Sequence, residues 1–335
     1  MLRKFDFWTL VMLGTWGILL LLLFIPVGSV LLSSFFDTAG NATVENYLRF
    51  FGEPRFQRAF FNTLVVGFGG LFGALLLGSI MAFCISRFQI KGSRFVSLLA
   101  ILALVSPPFI GAYSWIVLFG AGGVVRAWLR DFGITMPPIY GVGGILIVFA
   151  LKFYPFVYLM VSGALSNVNR SLEEAAEGLG LTPLQRTFKI SFPMVFPALT
   201  AGGLLALIQS IADFGTPRLL GRGYNVLATE AYTLYSAEVG SNMSMATTIS
   251  VVLIVVSMVF VMMQRFMSRR NVYHGNMINK PTKIQLKGWR NVLAHFAVYF
   301  IGLCGAMPVI ISVIYSLRRT NGPVFQDGFA LQSYE

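Results

Sequence analysis

The chain reads as an all-α, polytopic membrane protein, and three observations predict that class. Of its 335 residues, 56% are hydrophobic and only 11% charged, with a mean hydropathy of +0.75. That balance is far from a water-soluble domain. The apolar residues gather into about seven runs, each near or above the roughly 20 residues that cross a bilayer as a helix. Most of the 25 lysines and arginines sit in the polar stretches between the runs.

The runs are 9–32, 59–84, 96–119, 142–165, 194–213, 245–267 and 292–316. The first follows Arg3 and Lys4, as a signal peptide would. It is long, however, and no small-x-small cleavage site follows it closely, so it reads as an uncleaved span. Pro26, Pro107, Pro108 and Pro155 lie inside or near spans, where kinks are tolerated if neighbouring helices cover the freed carbonyls. Gly69 with Gly73 in the second run, and Gly202 with Ala206 in the fifth, give small faces for close helix packing. With the N-terminus placed in the cytoplasm, cytoplasmic loops hold the excess of positive charge, as the positive-inside rule demands. The polar stretch 166–193 then faces the cytoplasm.

That stretch is the most structured polar part of the sequence. Ser171-Leu172-Glu173-Glu174 has capping-box spacing and predicts a short helix over 172–179, closed by Gly180 as the left-handed residue. Thr182 and Gln185 form a second capping box around Pro183, predicting another helix to about Ile190, with a boundary at Pro193. Ala175 and Ala176 leave a small face for a close neighbour. A loop that is helical by accident would not carry so many concordant signals.

Glu174, Ala175 and Ala176, then three residues, Gly180, nine residues, and Ile190-Ser191-Phe192-Pro193 resemble the loop of permease subunits of ATP-driven (ABC) importers. Phe192 stands where leucine is usual. The resemblance implies a type I ABC importer permease fold, with this loop seated on a cytoplasmic ATPase subunit. In that arrangement Glu174 contacts the ATPase and Gly180 sets the turn. It implies cytoplasmic ATP-binding subunits that hold ATP and Mg, an extracytoplasmic substrate-binding protein, and a multi-pass location in the bacterial cytoplasmic (inner) membrane. The chain itself would bind no cofactor and would be no enzyme.

The sequence also contains a partial repeat. Pro26-Val27 precedes Ser34-Phe35 by the same interval that separates Pro308-Val309 from Ser316-Leu317. Val44-Glu45-Asn46-Tyr47 resembles Leu331-Gln332-Ser333-Tyr334, with the spacing changed by five residues. Residues 1–270 therefore read as a complete permease half with six helices, 271–289 as a basic cytoplasmic linker, and 290–335 as the start of a second half that stops short. The layout resembles the fused two-half permeases of iron(III), thiamine, polyamine and related importers, interrupted here, with a second permease half as a possible partner.

Candidate pathway residues are Lys152, Asp213 and Phe214. Lys152 lies mid-span, where a charge costs a few kcal/mol unless it pairs or faces a cavity. It reads as a group meeting an anion, as half of an inter-helix pair, or as a lysine reaching toward an interface. Asp213 reads as a gate or cation contact, or as a helix-end residue at the water interface. The stretch Ile211–Gly221 resembles iron(III)-type permeases most, so ferric iron is the favoured substrate, with thiamine, polyamine or phosphonate as alternatives. An ion-gradient-driven secondary transporter is the competing class.

Other motifs lead nowhere. Asp213-Phe214-Gly215 matches a kinase tripeptide without its companion motifs, and no GxxxxGK[ST] occurs. Asn41-Ala42-Thr43 is a sequon by letter alone. Cys84, Cys304, His274 and His295 are isolated in sequence and form no metal-binding pattern. No basic patch interleaved with aromatic residues points to nucleic acid.

Overall fold

Inside a bilayer the backbone has no water to bond, so each apolar run must satisfy its N–H and C=O groups within itself, and it does so as helix. The computed structural model describes residues 7–37, 39–168, 170–237, 242–268, 283–321 and 324–329. A π-helical turn at Leu20–Phe24 joins α1 (Phe7–Leu19) to α2 (Ile25–Ser33) in one continuous span. Next come α3 (Glu45–Gly52), α4 (Pro54–Arg87), α5 (Ser93–Val105), α6 (Pro108–Phe119), α7 (Val124–Asp131) and α8 (Val142–Ser166). The polar insert holds α9 (Arg170–Gly178) and α10 (Pro183–Arg186). A π turn at Thr187–Ser191 carries α10 into α11 (Phe192–Ala212). α12 (Gly215–Leu220), α13 (Leu227–Ser236), α14 (Met243–Ser268) and α15 (Trp289–Ser316) complete the helices. A hairpin of β1 (Arg318–Asn321) and β2 (Val324–Phe329) is the departure from an all-α chain. Among the described residues, seven helical stretches are long and apolar enough to cross a membrane.

The third predicted span, 96–119, is not one helix. It breaks at Ser106–Pro107 into α5 and α6. A proline pushes its preceding residue out of the helical region. Ser106 is accordingly extended at ψ 120° and Pro107 at ψ 142°. Pro108 then opens α6 at the first helical position, where a missing N–H is harmless. The membrane-length stretch here is Phe109–Asp131, preceded by the shorter apolar α5.

The chain divides into two compact units, residues 1–62 with 226–256 and residues 63–225 with 257–335. The first has a core of Phe50, Phe56, Ala59, Leu227, Met245 and Ile249. Beside it Arg55 donates through Nε to Oε2 of the buried Glu230 at 2.8 Å. Ser34 Oγ and the Tyr47 hydroxyl share a hydrogen bond of 2.7 Å.

The second unit is organised on α8, whose Ile145, Val148, Phe149, Tyr154 and Val157 are buried. α5, α11 and α15 pack on it. The predicted small faces are used for this. A Cβ at Gly69 would run into Leu146, one at Gly73 into Ala150, and one at Gly202 would lie 2.7 Å from Val157 Cα. Without side chains at these positions, α4 and α11 approach α8 backbone to backbone. Of the repeat and linker read from sequence, Leu331–Tyr334 and residues 269–282 lie outside the described residues.

Candidate functional site

The polar insert is a helix–turn–helix whose turn and second helix start are chemically closed. Gly180 has φ +80°, a conformation glycine adopts at no steric penalty. With it there, Leu181 N–H reaches Ala176 O at 3.1 Å and Gly180 N–H reaches Glu177 O at 2.9 Å. This pair of bonds is a Schellman motif, as Gly180 predicts. The second capping box also forms: Thr182 N–H donates to Gln185 Oε1 at 3.0 Å, and Gln185 N–H to Thr182 Oγ1 at 3.4 Å. Arg186 then bridges back to Glu177 at 2.6 Å and pins α10 to α9. Sequence reading missed this pair because the turn, not helical spacing, brings the two together.

Two details differ from expectation. The first is where α9 begins: it already includes Arg170, one residue ahead of the expected N-cap Ser171. The expected boundary at Pro193 is absent. The Phe192 N–H bonds to Thr187 O across five residues, and this wide turn accommodates the proline at the start of α11 without ending the helix. Ser191, on the π turn, is buried and accepts a hydrogen bond from Arg87 Nη2 at 2.8 Å. That bond anchors the insert to the end of α4.

The element has distinct inner and outer faces. Ala176 is only 4% exposed and packs into its own chain, whereas Glu174 and Ala175 face outward. Ile190 and Pro193 are half-buried. Leu172 and Leu179 are exposed, Leu179 at 82%, and so is Phe188. With Ala175, Leu172 and Leu179 follow i, i+3, i+7 spacing and make one stripe. An apolar stripe held outward on a capped, polar element marks an interaction surface. No periodicity rule identified Leu179 beforehand, because only the turn reveals its exposure.

The pathway candidates meet in one cavity of about 360 Å³, lined by Ser106, Phe109, Lys152, Gln209, Asp213 and Phe214 among others. Lys152 on α8 pairs with Oδ2 of Asp213 at the end of α11. Asp213 Oδ1 accepts the Thr216 N–H at 2.8 Å and so ties the start of α12 to the pair. The Lys152 ammonium also lies 5.2 Å from the Phe153 ring centroid, a favourable placement for a cation. Lys152 is therefore half of an inter-helix pair and a cavity group at once. Asp213 ends a helix, as one reading held, but it is buried rather than placed in water. Phe214 packs edge-on against Phe109 at 5.6 Å. The break at Ser106 brings that serine into the cavity wall, with its Oγ buried and unpartnered. Ser106 was missed because the sequence was read as an unbroken helix there; Pro107-Pro108 was the available signal.

Of the four residues isolated in sequence, His274 lies outside the described residues. Cys84 and Cys304 are free, half-buried thiols. His295 is not isolated in space; its Nε2 accepts the Lys91 N–H at 3.1 Å. Among the described residues, no group of three or more His, Cys, Asp or Glu side chains could hold a metal ion.

Residues 74–273 match the family model described as "Binding-protein-dependent transport system inner membrane component". The chain is 29% identical over 322 residues to the ferric transport system permease protein FbpB of Actinobacillus pleuropneumoniae. That alignment takes in 91% of this chain and 46% of the relative. The chain spans about half the length of the ferric-transport relatives it matches. It is 28% identical over 246 residues to the putative 2-aminoethylphosphonate transport system permease protein PhnU of Salmonella typhimurium, covering 72% of this chain and 85% of that one. Among solved structures it resembles a bacterial ABC transporter involved in the import of the acidic polysaccharide alginate. The TM-score is 0.67 at 21% identity, over 78% of this chain and 95% of the other, a likeness that shows the fold. The family match takes in the capped insert, the α8–α11 packing and the charged cavity together, and the chain belongs to the inner membrane components of binding-protein-dependent transport systems.

Proposed function

We propose that this chain is the membrane-spanning part of an ATP-driven importer and that ferric iron is its substrate. One observation carries the reading: the α9–α10 element is capped, cross-linked by Glu177–Arg186, and presents Leu172, Glu174, Ala175 and Leu179 outward. A soluble motor subunit needs such a rigid handle, because a floppy loop would absorb the stroke. In this reading the N-terminus and the insert are cytoplasmic, and two ATPase subunits dock on the insert. They bind ATP and Mg, and their closure opens the pathway outward to receive substrate from an extracytoplasmic binding protein. Gly180 sets the turn, Ala176 and Pro193 seat the element on its own chain, and Ile190 joins it to α11.

The cavity beside Lys152 and Asp213 lies on the proposed pathway, with Phe214 as a side wall. A cation would compete with Lys152 for Asp213, and an anion would compete with Asp213 for Lys152. The ferric-transport relative, aligned over 91% of this chain, supports iron. Phosphonate is the second reading, favoured by Lys152 and by the PhnU relative. We read residues 1–270 as one permease half, 271–289 as a linker and 290 onward as the start of another. The spans before Ser34 and before Ser316 support this, since each is followed by an antiparallel return: Phe36 with Ala42, and β1 with β2.

The test is uptake of labelled ferric iron into vesicles carrying this chain with its ATPase subunits and binding protein. Uptake is expected to require ATP and to survive collapse of the ion gradients. Uptake that persists without ATP and vanishes with the gradient would contradict the reading. Preferential uptake of 2-aminoethylphosphonate would replace iron by the second substrate.

A further inference from the structure

A second cavity, of about 470 Å³, opens where α4 ends and α15 begins. Its wall is built by specific bonds. Ile284 N–H donates to Arg87 O at 2.8 Å, and Gln89 N–H to Ile284 O at 3.1 Å. Gln285 Nε2 donates to Gln89 Oε1 at 2.8 Å. From α15, His295 Nε2 accepts the Lys91 N–H and the Tyr299 hydroxyl donates to Lys91 O at 2.9 Å. His295 Nδ1 faces Asn291 O at 2.8 Å. Lys91, Lys283 and Lys287 line the space, with Gln89 and Asn291 as further polar groups, and among the described lining residues none is acidic.

The place of the cavity identifies the ligand. It sits at the shared end of two membrane-length helices, Pro54–Arg87 and Trp289–Ser316, and so at head-group depth. Trp289 is exposed at the first position of α15, where an indole marks a membrane interface. Beside the Asn291–His295 face of α15, the exposed Val292, Phe296 and Phe300 form an apolar stripe, with the two phenylalanine rings stacked at 5.5 Å. Basic cavities of this kind on the cytoplasmic side of helix bundles suit acidic lipid head groups. A free phosphate would use the lysines but leave the stripe without a role.

We propose that this cavity binds the phosphate head group of an anionic phospholipid of the phosphatidylglycerol class, its acyl chains lying along Val292, Phe296 and Phe300. The lipid would clamp residues 283–287 to the loop at 88–91. The proposal rests on the proposed orientation, which makes this end of α4 and α15 cytoplasmic, and not on the substrate.

Native mass spectrometry of the full chain in detergent tests it, with phosphatidylglycerol, phosphatidylcholine or inorganic phosphate added. Phosphatidylglycerol is expected to be retained at about tenfold lower concentration than phosphatidylcholine and to resist excess inorganic phosphate. The triple variant Lys91→Gln, Lys283→Gln, Lys287→Gln is expected to lose that preference. The triple variant Arg58→Gln, Arg130→Gln, Arg265→Gln removes the same charge elsewhere and is expected to keep it. Equal retention of the two lipids, a preference unaffected by loss of the three lysines, or displacement by inorganic phosphate would each overturn the proposal. The lipid comparison on the unmodified chain stands whatever the variants do to folding.

Discussion

At the scale of the residue, Lys152 and Asp213 set the sharpest energetic constraint. Each alone would be an uncompensated charge inside a membrane helix bundle; together they neutralise one another while Asp213 still accepts the Thr216 N–H. Removing one partner of a buried pair typically costs about 3–5 kcal/mol, whereas removing both is far milder. Lys152→Met is therefore expected to lower the unfolding temperature in detergent strongly. Lys152→Met combined with Asp213→Asn, which keeps the acceptor for Thr216, is expected to recover most of the loss. Simple additivity of the two substitutions would show that the pair contributes little. Lys152 stood out in the sequence because a mid-span charge demands a reason. Its partner, 61 positions away, could not be read from spacing, and the pairing needed the α8–α11 packing. Ser106 was hidden for a related reason: its exposure to the cavity depends on a helix break.

At the scale of the element, local chemistry was legible wherever it is short-range. The Gly180 turn and the Thr182–Gln185 box form as predicted, because every atom involved lies within five residues. The misread elements, the broken third span and the helix that continues through Pro193, both turn on prolines. A proline states that the backbone must adjust; whether it breaks the helix or is taken up by a π turn depends on the neighbours. Gly180→Ala places a side chain at φ +80° and is expected to destabilise the turn by about 1 kcal/mol. Hydrogen exchange at the Leu181 amide would then accelerate about fivefold, and unchanged exchange would deny the cap its role. In the membrane, Gly73→Leu is expected to lower thermal stability by about 1–3 kcal/mol through collision with Ala150. An unchanged melting temperature would show that α4 and α8 can separate without loss.

At the scale of the whole molecule, composition and positive charge in the loops predicted the helical membrane class, and the helices follow the apolar runs closely except in the third. The C-terminal hairpin was not legible, since its strands are short and carry no clear alternation. The capped insert gives the molecule an outward handle, and the charged cavity gives it a polar space among α8, α11 and α12. The proposed role of the handle is to engage an ATPase. The most direct measurement is site-directed cross-linking in a chain lacking its own cysteines through Cys84→Ala and Cys304→Ala. Leu179→Cys, exposed in the turn that follows α9, is expected to cross-link to the ATPase subunit with a yield that changes on ATP binding. Tyr235→Cys, exposed on α13 and extracytoplasmic in the proposed orientation, is expected not to cross-link. A cross-link from Tyr235→Cys together with none from Leu179→Cys, in a complex that still transports, would show that the ATPase does not engage the handle.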